Sequence, residues 1–246
     1  MLRRVFSALY VLLLLLCMPA SAAPLPERIV LSRIDNDPVS DMAYQILQEA
    51  YRRLGIPLAA MPLPAERSLS YSSSGKTDGE VVRIAGLEKS YPTLVRVPEP
   101  LLEVRIYAFT TGAHLPVNGW SSLMPYRLCI RNGLRTTLQH TEGMRREITN
   151  SERQLFAMLR AGRCDMAILS HESWLLIDKL QMGPLLALEP ALSSEPLYHY
   201  LYIRQAALAP KLARVLRDMK RDQTTQRIQA QFETRVQQAR QRQSLP

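Results

Sequence analysis

Two short stretches decide the fold: Gly75-Lys76-Thr77-Asp78-Gly79-Glu80, and later Gly162-Arg163-Cys164-Asp165. Each reads as the same device. A glycine stops a helix, a basic residue and a spacer follow, and an aspartate leads into an apolar strand. The strands are Val81-Val-Arg-Ile-Ala in the first case and Met166-Ala-Ile-Leu in the second. Glycine is a common residue just past a helix, because it accepts positive φ without a Cβ penalty. One copy therefore carries little information. Two copies at matching places of two βα units point to a duplicated, two-lobed α/β architecture.

Outward from the first copy, Ile29-Val-Leu-Ser-Arg-Ile reads as a strand that ends at Asp35-Asn-Asp-Pro. Asp37 before Pro38 is a natural cap and first-turn pair. Ala43, Ile46, Leu47, Ala50, Tyr51 and Leu54 then recur at helical spacing, and Gly55 closes that helix. A second strand, Ile56 to Leu63, precedes a short helix opening at Pro64-Ala-Glu-Arg-Ser-Leu. This βαβαβ order favours a parallel sheet covered by helices. Around the second copy, Tyr126 to Ile130 reads as a strand with Arg131-Asn-Gly as its turn. Ser151-Glu-Arg-Gln is a capping box for a helix carrying Leu155, Phe156, Met158 and Leu159. Extended stretches around 94–110 and 197–204 cross between the units, which implies a hinge and a cleft. The chain closes with two helices, broken near Asp222 to Thr225.

The N-terminus carries Arg3-Arg4, an apolar run from Val5 to Met18, and Pro19-Ala-Ser-Ala22, the three parts of a signal peptide cleaved after Ala22. An uncleaved anchor is the other reading. Export to the periplasm makes the even pair Cys129 and Cys164 a candidate disulfide, with two buried free thiols as the alternative. The formal net charge is +9, but it is not evenly spread. From Lys211 onward nine basic residues face three acidic ones, so the body of the mature chain is nearly neutral. That pattern reads as a solvated helical face and argues against a nucleic-acid partner.

The order of these elements resembles the type II periplasmic solute-binding proteins, family 3, typified by polar amino-acid binders. The stretches that carry the likeness are Ile29 to Asp35, Pro64 to Leu69, Gly75 to Glu80, Leu159-Arg-Ala-Gly-Arg-Cys-Asp-Met-Ala-Ile, and Leu208-Ala-Pro-Lys-Leu through Met219. The resemblance implies two lobes, each a mostly parallel sheet flanked by helices, with a hinge between them. Lobe 1 would comprise residues 23–111 and 192–246, and lobe 2 residues 112–191. It also implies capture of a small polar ligand by a monomer, for uptake through an inner-membrane transporter, with ligand sensing for a membrane partner as the alternative. The family's Ser/Thr-rich turn plus arginine, which holds a ligand carboxylate, has Arg83 within Glu80-Val-Val-Arg as its approximate substitute.

In open α/β sheets ligands sit beyond the carboxyl ends of strands. That rule selects Asp35, with Asn36 and Asp37, after the first strand, and Glu66 and Arg67 after the second. In the second unit it selects Arg131, Asn132 and Gly133, then Ser170, His171 and Glu172. Guanidinium groups such as Arg67, Arg83 and Arg131 can grip a carboxylate through two parallel hydrogen bonds. The expected contacts are thus Asp35, Glu66, Arg67, Arg83, Arg131, Gly133 and Ser170. No glycine-rich phosphate loop, nucleophile elbow or paired-His metal motif occurs. The expectation is a binding protein with no cofactor and no metal, not an enzyme.

Overall fold

Branched apolar runs build one nine-stranded sheet in the order β2-β1-β3-β9-β5-β8-β6-β7, with β4 also paired to β9. The computed structural model describes residues 26–244; the signal-peptide reading of residues 1–22 lies outside the described residues. The first unit runs β1 (Ile29–Ile34), α1 (Pro38–Arg53), β2 (Leu58–Leu63), α2 (Ala65–Ser73) and β3 (Gly79–Ile84). After β4 (Leu94–Arg96) and β5 (Leu102–Thr110), the second unit runs β6 (Leu128–Arg131), α3 (Arg135–His140), β7 (Arg146–Thr149), α4 (Glu152–Arg160) and β8 (Met166–Ser170). Then follow α5 (Trp174–Leu180), β9 (Leu186–Tyr202), α6 (Ala209–Arg221) and α7 (Thr224–Gln243).

The sheet order is its own mirror. Parallel triplets β2-β1-β3 and β7-β6-β8 flank the antiparallel pair β9 and β5. The duplicated device explains why. Asp78 donates its N–H to Val30 O (2.7 Å) and accepts from Val30 N at Oδ2 (2.9 Å). Asp165 does the same to Arg127, at 2.7 and 2.8 Å. Each aspartate thus pins its strand to the start of the neighbouring one. The spacer before it reaches across to the same neighbour. In the first unit the hydroxyls of Thr77 and Ser32 hydrogen-bond at 2.7 Å. At the equivalent positions of the second unit Cys164 and Cys129 form the expected disulfide, their Cα atoms 5.7 Å apart. Closing 35 residues of chain is worth about 4 kcal/mol in the chain-entropy treatment.

Strand β7 is absent from the sequence reading. Its four residues, Arg-Glu-Ile-Thr, sit at the sheet edge with Ile148 exposed, so no apolar alternation marks it. The helix caps follow the sequence. Asp37 accepts from Val39 N at 3.3 Å, and Ser151 accepts from Gln154 N at 3.3 Å.

Strands β5 and β9 both pass from one triplet to the other. Leu102–Ile106 and Ala108–Thr110 pair with two separate stretches of β9, with a register shift between them. Helix α7 spans the same divide. Arg53 of α1 holds Asp222 (2.6 Å) and Thr224 (2.9 Å) at its start, while Arg242 at its end holds Asp178 of α5 (2.6 Å). Among the described residues four of the nine basic residues of the tail, Arg217, Lys220, Arg221 and Arg242, make ion pairs within the protein. Lys220 also reaches Glu99 at 2.6 Å.

Candidate functional site

The carboxyl ends of β1, β3, β6 and β8 converge on a cavity of about 100 Å³ between the two units, floored by β5 and β9. Four of the seven expected ligand residues line it: Arg83, Arg131, Gly133 and Ser170. Asp35 stands beside it and offers its backbone carbonyl to Arg131 Nη2 at 3.0 Å. Glu66 and Arg67, on the first turn of α2, face solvent and are not among the lining residues.

The two central arginines already have partners. Glu80 is fully buried and Arg83 is 6% exposed. In a regular strand residues three apart face opposite ways. Here three steps on β3 stand opposite two on β9, Glu80 against Tyr200 and Arg83 against Tyr198. This bulge lets the two side chains meet. Arg83 Nε donates to Glu80 Oε1 at 3.1 Å, Nη2 to Ala65 O at 2.7 Å, and Nη1 to Gly133 O at 3.3 Å. Ser68 and Ser72 supply two further donors to Glu80, at 2.7 and 3.0 Å. Burial still pushes the Glu80 carboxyl up, against the pull of Arg83 and the two hydroxyls. Behind it His199, also fully buried, donates from Nδ1 to Glu80 O (2.8 Å) and so accepts from the Tyr51 hydroxyl at Nε2 (2.9 Å). Burial lowers His199 to about 4, which keeps it neutral.

Across the cavity Arg131 forms an ion pair with Glu152, the first residue of α4. Sequence reasoning missed Glu152 because it missed β7. The strand-end rule, applied to β7, points at Asn150-Ser151-Glu152. It also stopped two residues short of Arg135, which lines the cavity and donates from Nη2 to the Tyr91 hydroxyl at 2.7 Å.

Three of these hydrogen bonds join the two units directly: Arg83 to Gly133, Arg131 to Asp35, and Arg135 to Tyr91. Gly133 has φ +80°, and a Cβ built there would lie 2.5 Å from Ala65 Cβ. The units therefore meet at van der Waals contact between Ala65 and Gly133, which lines the cavity.

Two buried carboxyls make stability pH-dependent. Burial pushes both Glu152 and Glu172 up to about 7, against an ordinary 4.5; Arg131 opposes this at Glu152, and Ser170 at Glu172. Glu172 Oε2 has no hydrogen-bond partner among the described residues, and Asp37 and Glu233 add repulsion. At these two sites, between about pH 4.5 and 7, the folded chain holds more protons than the unfolded one, so their contribution to stability falls as pH rises through that window. His199, lowered to about 4 from 6.5, contributes the opposite slope between those values. Denaturant midpoints at pH 5 and 8 should differ, with about 2–3 kcal/mol of the loss due to Glu172. Glu172→Gln should remove that share; an unchanged pH slope in the variant would refute the assignment.

No protein-family model matches the chain. An uncharacterised protein of Shewanella oneidensis is 27% identical over 243 residues, covering 89% of this chain and 91% of its own. Among solved structures, an ancestral arginine-binding protein bound to arginine is similar at a TM-score of 0.71 and 15% identity, over 85% of this chain and 99% of its own. A histidine kinase sensor domain with similarity to periplasmic binding proteins matches at 0.71 and 15%, over 83% and 95%. An arginine third transport system periplasmic binding protein from Legionella pneumophila matches at 0.67 and 14%, over 84% and 100%. At such identities these likenesses show the fold, which is that of the periplasmic binding proteins.

Proposed function

We propose that this chain, built on the fold of the periplasmic binding proteins, captures a small charged or polar solute between its two units by closing about the β5 and β9 crossing. The observation that carries this reading is the cavity itself. It is enclosed by residues of both units, at the strand ends where open α/β sheets bind ligands. Each unit supplies part of the wall, so a ligand has all its contacts only when the units close, and its binding energy favours that state. The proposed units are residues 23–111 with 192–246, and residues 112–191. Arg83 would face the solute from the first, and Arg131, Gly133 and Ser170 from the second. Asp35, Glu66 and Arg67 are proposed at the rim.

The proposed setting is the periplasm, reached through the N-terminal leader, with uptake through an inner-membrane transporter as the role. Signalling to a membrane partner is the second reading, supported by the likeness to a sensor domain. No bond-breaking step is part of the proposal.

A thermal-shift panel of amino acids, polyamines, organic acids and small peptides tests it. A compound present at a hundredfold excess over Kd stabilises the native state by about 2.7 kcal/mol. For a chain of this size that corresponds to a rise in Tm of about 5–10 °C. Small-angle scattering should show the same compound favouring the compact form. A panel that shifts neither quantity overturns the solute-capture reading.

A further inference from the structure

The charges at the cavity wall are not equally answered, and the difference names a ligand class. Arg83 is matched by Glu80 and two backbone carbonyls, and Arg131 by Glu152 and Asp35 O. The carboxylate of Asp37 caps the sixteen-residue helix α1, whose N-terminus favours negative charge. Arg135 differs. Its partner is the neutral Tyr91, through the hydroxyl at 2.7 Å and the ring at 5.3 Å. Its Nε is buried and has no hydrogen-bond partner among the described residues. A buried donor left unmade is costly, and a charged acceptor recovers that cost with a charge-assisted bond.

The rest of the wall is of another character. Ile34, Val82, Val104, Ile106, Leu169 and Leu197 come from five strands, two of them on β5, and surround the space with aliphatic carbon. A second charged end among those side chains would be desolvated without a charged partner; the uncharged polar groups on the wall are the hydroxyls of Thr136, Thr137, Ser170 and Ser173. The volume of about 100 Å³ leaves room for roughly six to eight non-hydrogen atoms, judged by the space one water needs.

We infer that the solute is a small carboxylate with a compact branched aliphatic body, its anionic group on Arg135 and its hydrocarbon among the β-strand side chains. This inference rests on the solute-capture reading and narrows it. It separates this site from one built for a ligand with a long charged side chain. An α-amino group on the same body is compatible with the shared chemistry, so the test includes both forms.

The test measures binding of five probes to the full mature chain by calorimetry and thermal shift: 3-methylbutanoate, 3-methylbutanamide, valine, arginine and glutamate. At least one of 3-methylbutanoate and valine should bind, tenfold or more tighter than the amide, arginine or glutamate. Binding of 3-methylbutanoate assigns the site to a simple carboxylate, and binding of valine alone to the amino-acid form. Arg135→Gln should weaken that binding at least tenfold while retaining the far-ultraviolet circular dichroism of the parent. The acid-against-amide comparison on the unaltered chain stands even where that variant does not fold. If arginine or glutamate binds best, or the amide binds as well as the acid, the inferred class is wrong while capture by closure survives. If none of the five and nothing in the wider panel binds, both fall.

Discussion

Arg83→Met should cost about 3–5 kcal/mol of folding stability at neutral pH, because it leaves one member of a buried ion pair without the other. Glu80 would keep only the Ser68 and Ser72 hydroxyls in a site with no solvent exposure. Its carboxyl, already raised by burial, would lose the attraction that opposes the rise and would fold in its protonated form. The same substitution frees two backbone carbonyls, Ala65 O in the first unit and Gly133 O in the second. Urea midpoints with unchanged slopes would report the loss. Replacing Glu80 as well, in Arg83→Met/Glu80→Gln, should recover a substantial part of it, since no carboxylate then has to take up a proton on folding. A loss below about 1 kcal/mol in the single variant would show that the Arg83 contacts to Glu80, Ala65 O and Gly133 O do not hold the fold together.

Gly133→Val should hold the two units apart. The Cβ position there lies 2.5 Å from Ala65 Cβ and 3.3 Å from Glu66 N, and the backbone has φ +80°. Two costs combine. A left-handed conformation penalises any residue with a Cβ by about 1–2 kcal/mol, and the contact with Ala65 can be relieved only by opening the cleft. Scattering should show a larger radius of gyration, and the affinity for any captured solute should fall at least tenfold. The pair Gly133→Ala and Ala65→Gly separates the two costs, because it retains the backbone penalty and removes the methyl contact. Compactness should return in the double variant. Unchanged scattering and affinity in Gly133→Val would mean that the Gly133–Ala65 contact does not govern closure.

Much of this architecture was legible beforehand, for local reasons. The helix caps at Asp37 and Ser151 act on backbone atoms within three residues, so the sequence around them suffices. The βα order and the two glycine-to-aspartate junctions are equally local, and they were enough to expect two similar units. Cys129 and Cys164 were a correct pair because Cys129 lies in β6 and Cys164 just before β8, strands that the βα order makes neighbours. Strand β7 was not legible. It is short, at an edge and half charged, so its identity comes from pairing with β6 rather than from its own pattern. That single omission hid Glu152, and with it the partner of Arg131.

The arginines mark the boundary between what the sequence by itself determined and what the tertiary structure decided. The sequence placed Arg131 at a strand end beside the cleft and, through the family resemblance, offered Arg83 as a ligand contact; both line the cavity. It gave no way to read what they touch. Arg83 meets Glu80 because β3 carries a bulge set by its pairing with β9, more than a hundred residues away in the chain. Among the described residues no acidic side chain pairs with Arg135, and its hydroxyl partner on Tyr91 comes from the other unit. Secondary structure follows from periodicity and from short-range hydrogen bonds, which the chain carries in every segment. The charge available to a ligand is what remains after non-local partners have been assigned, and only the folded arrangement makes that assignment.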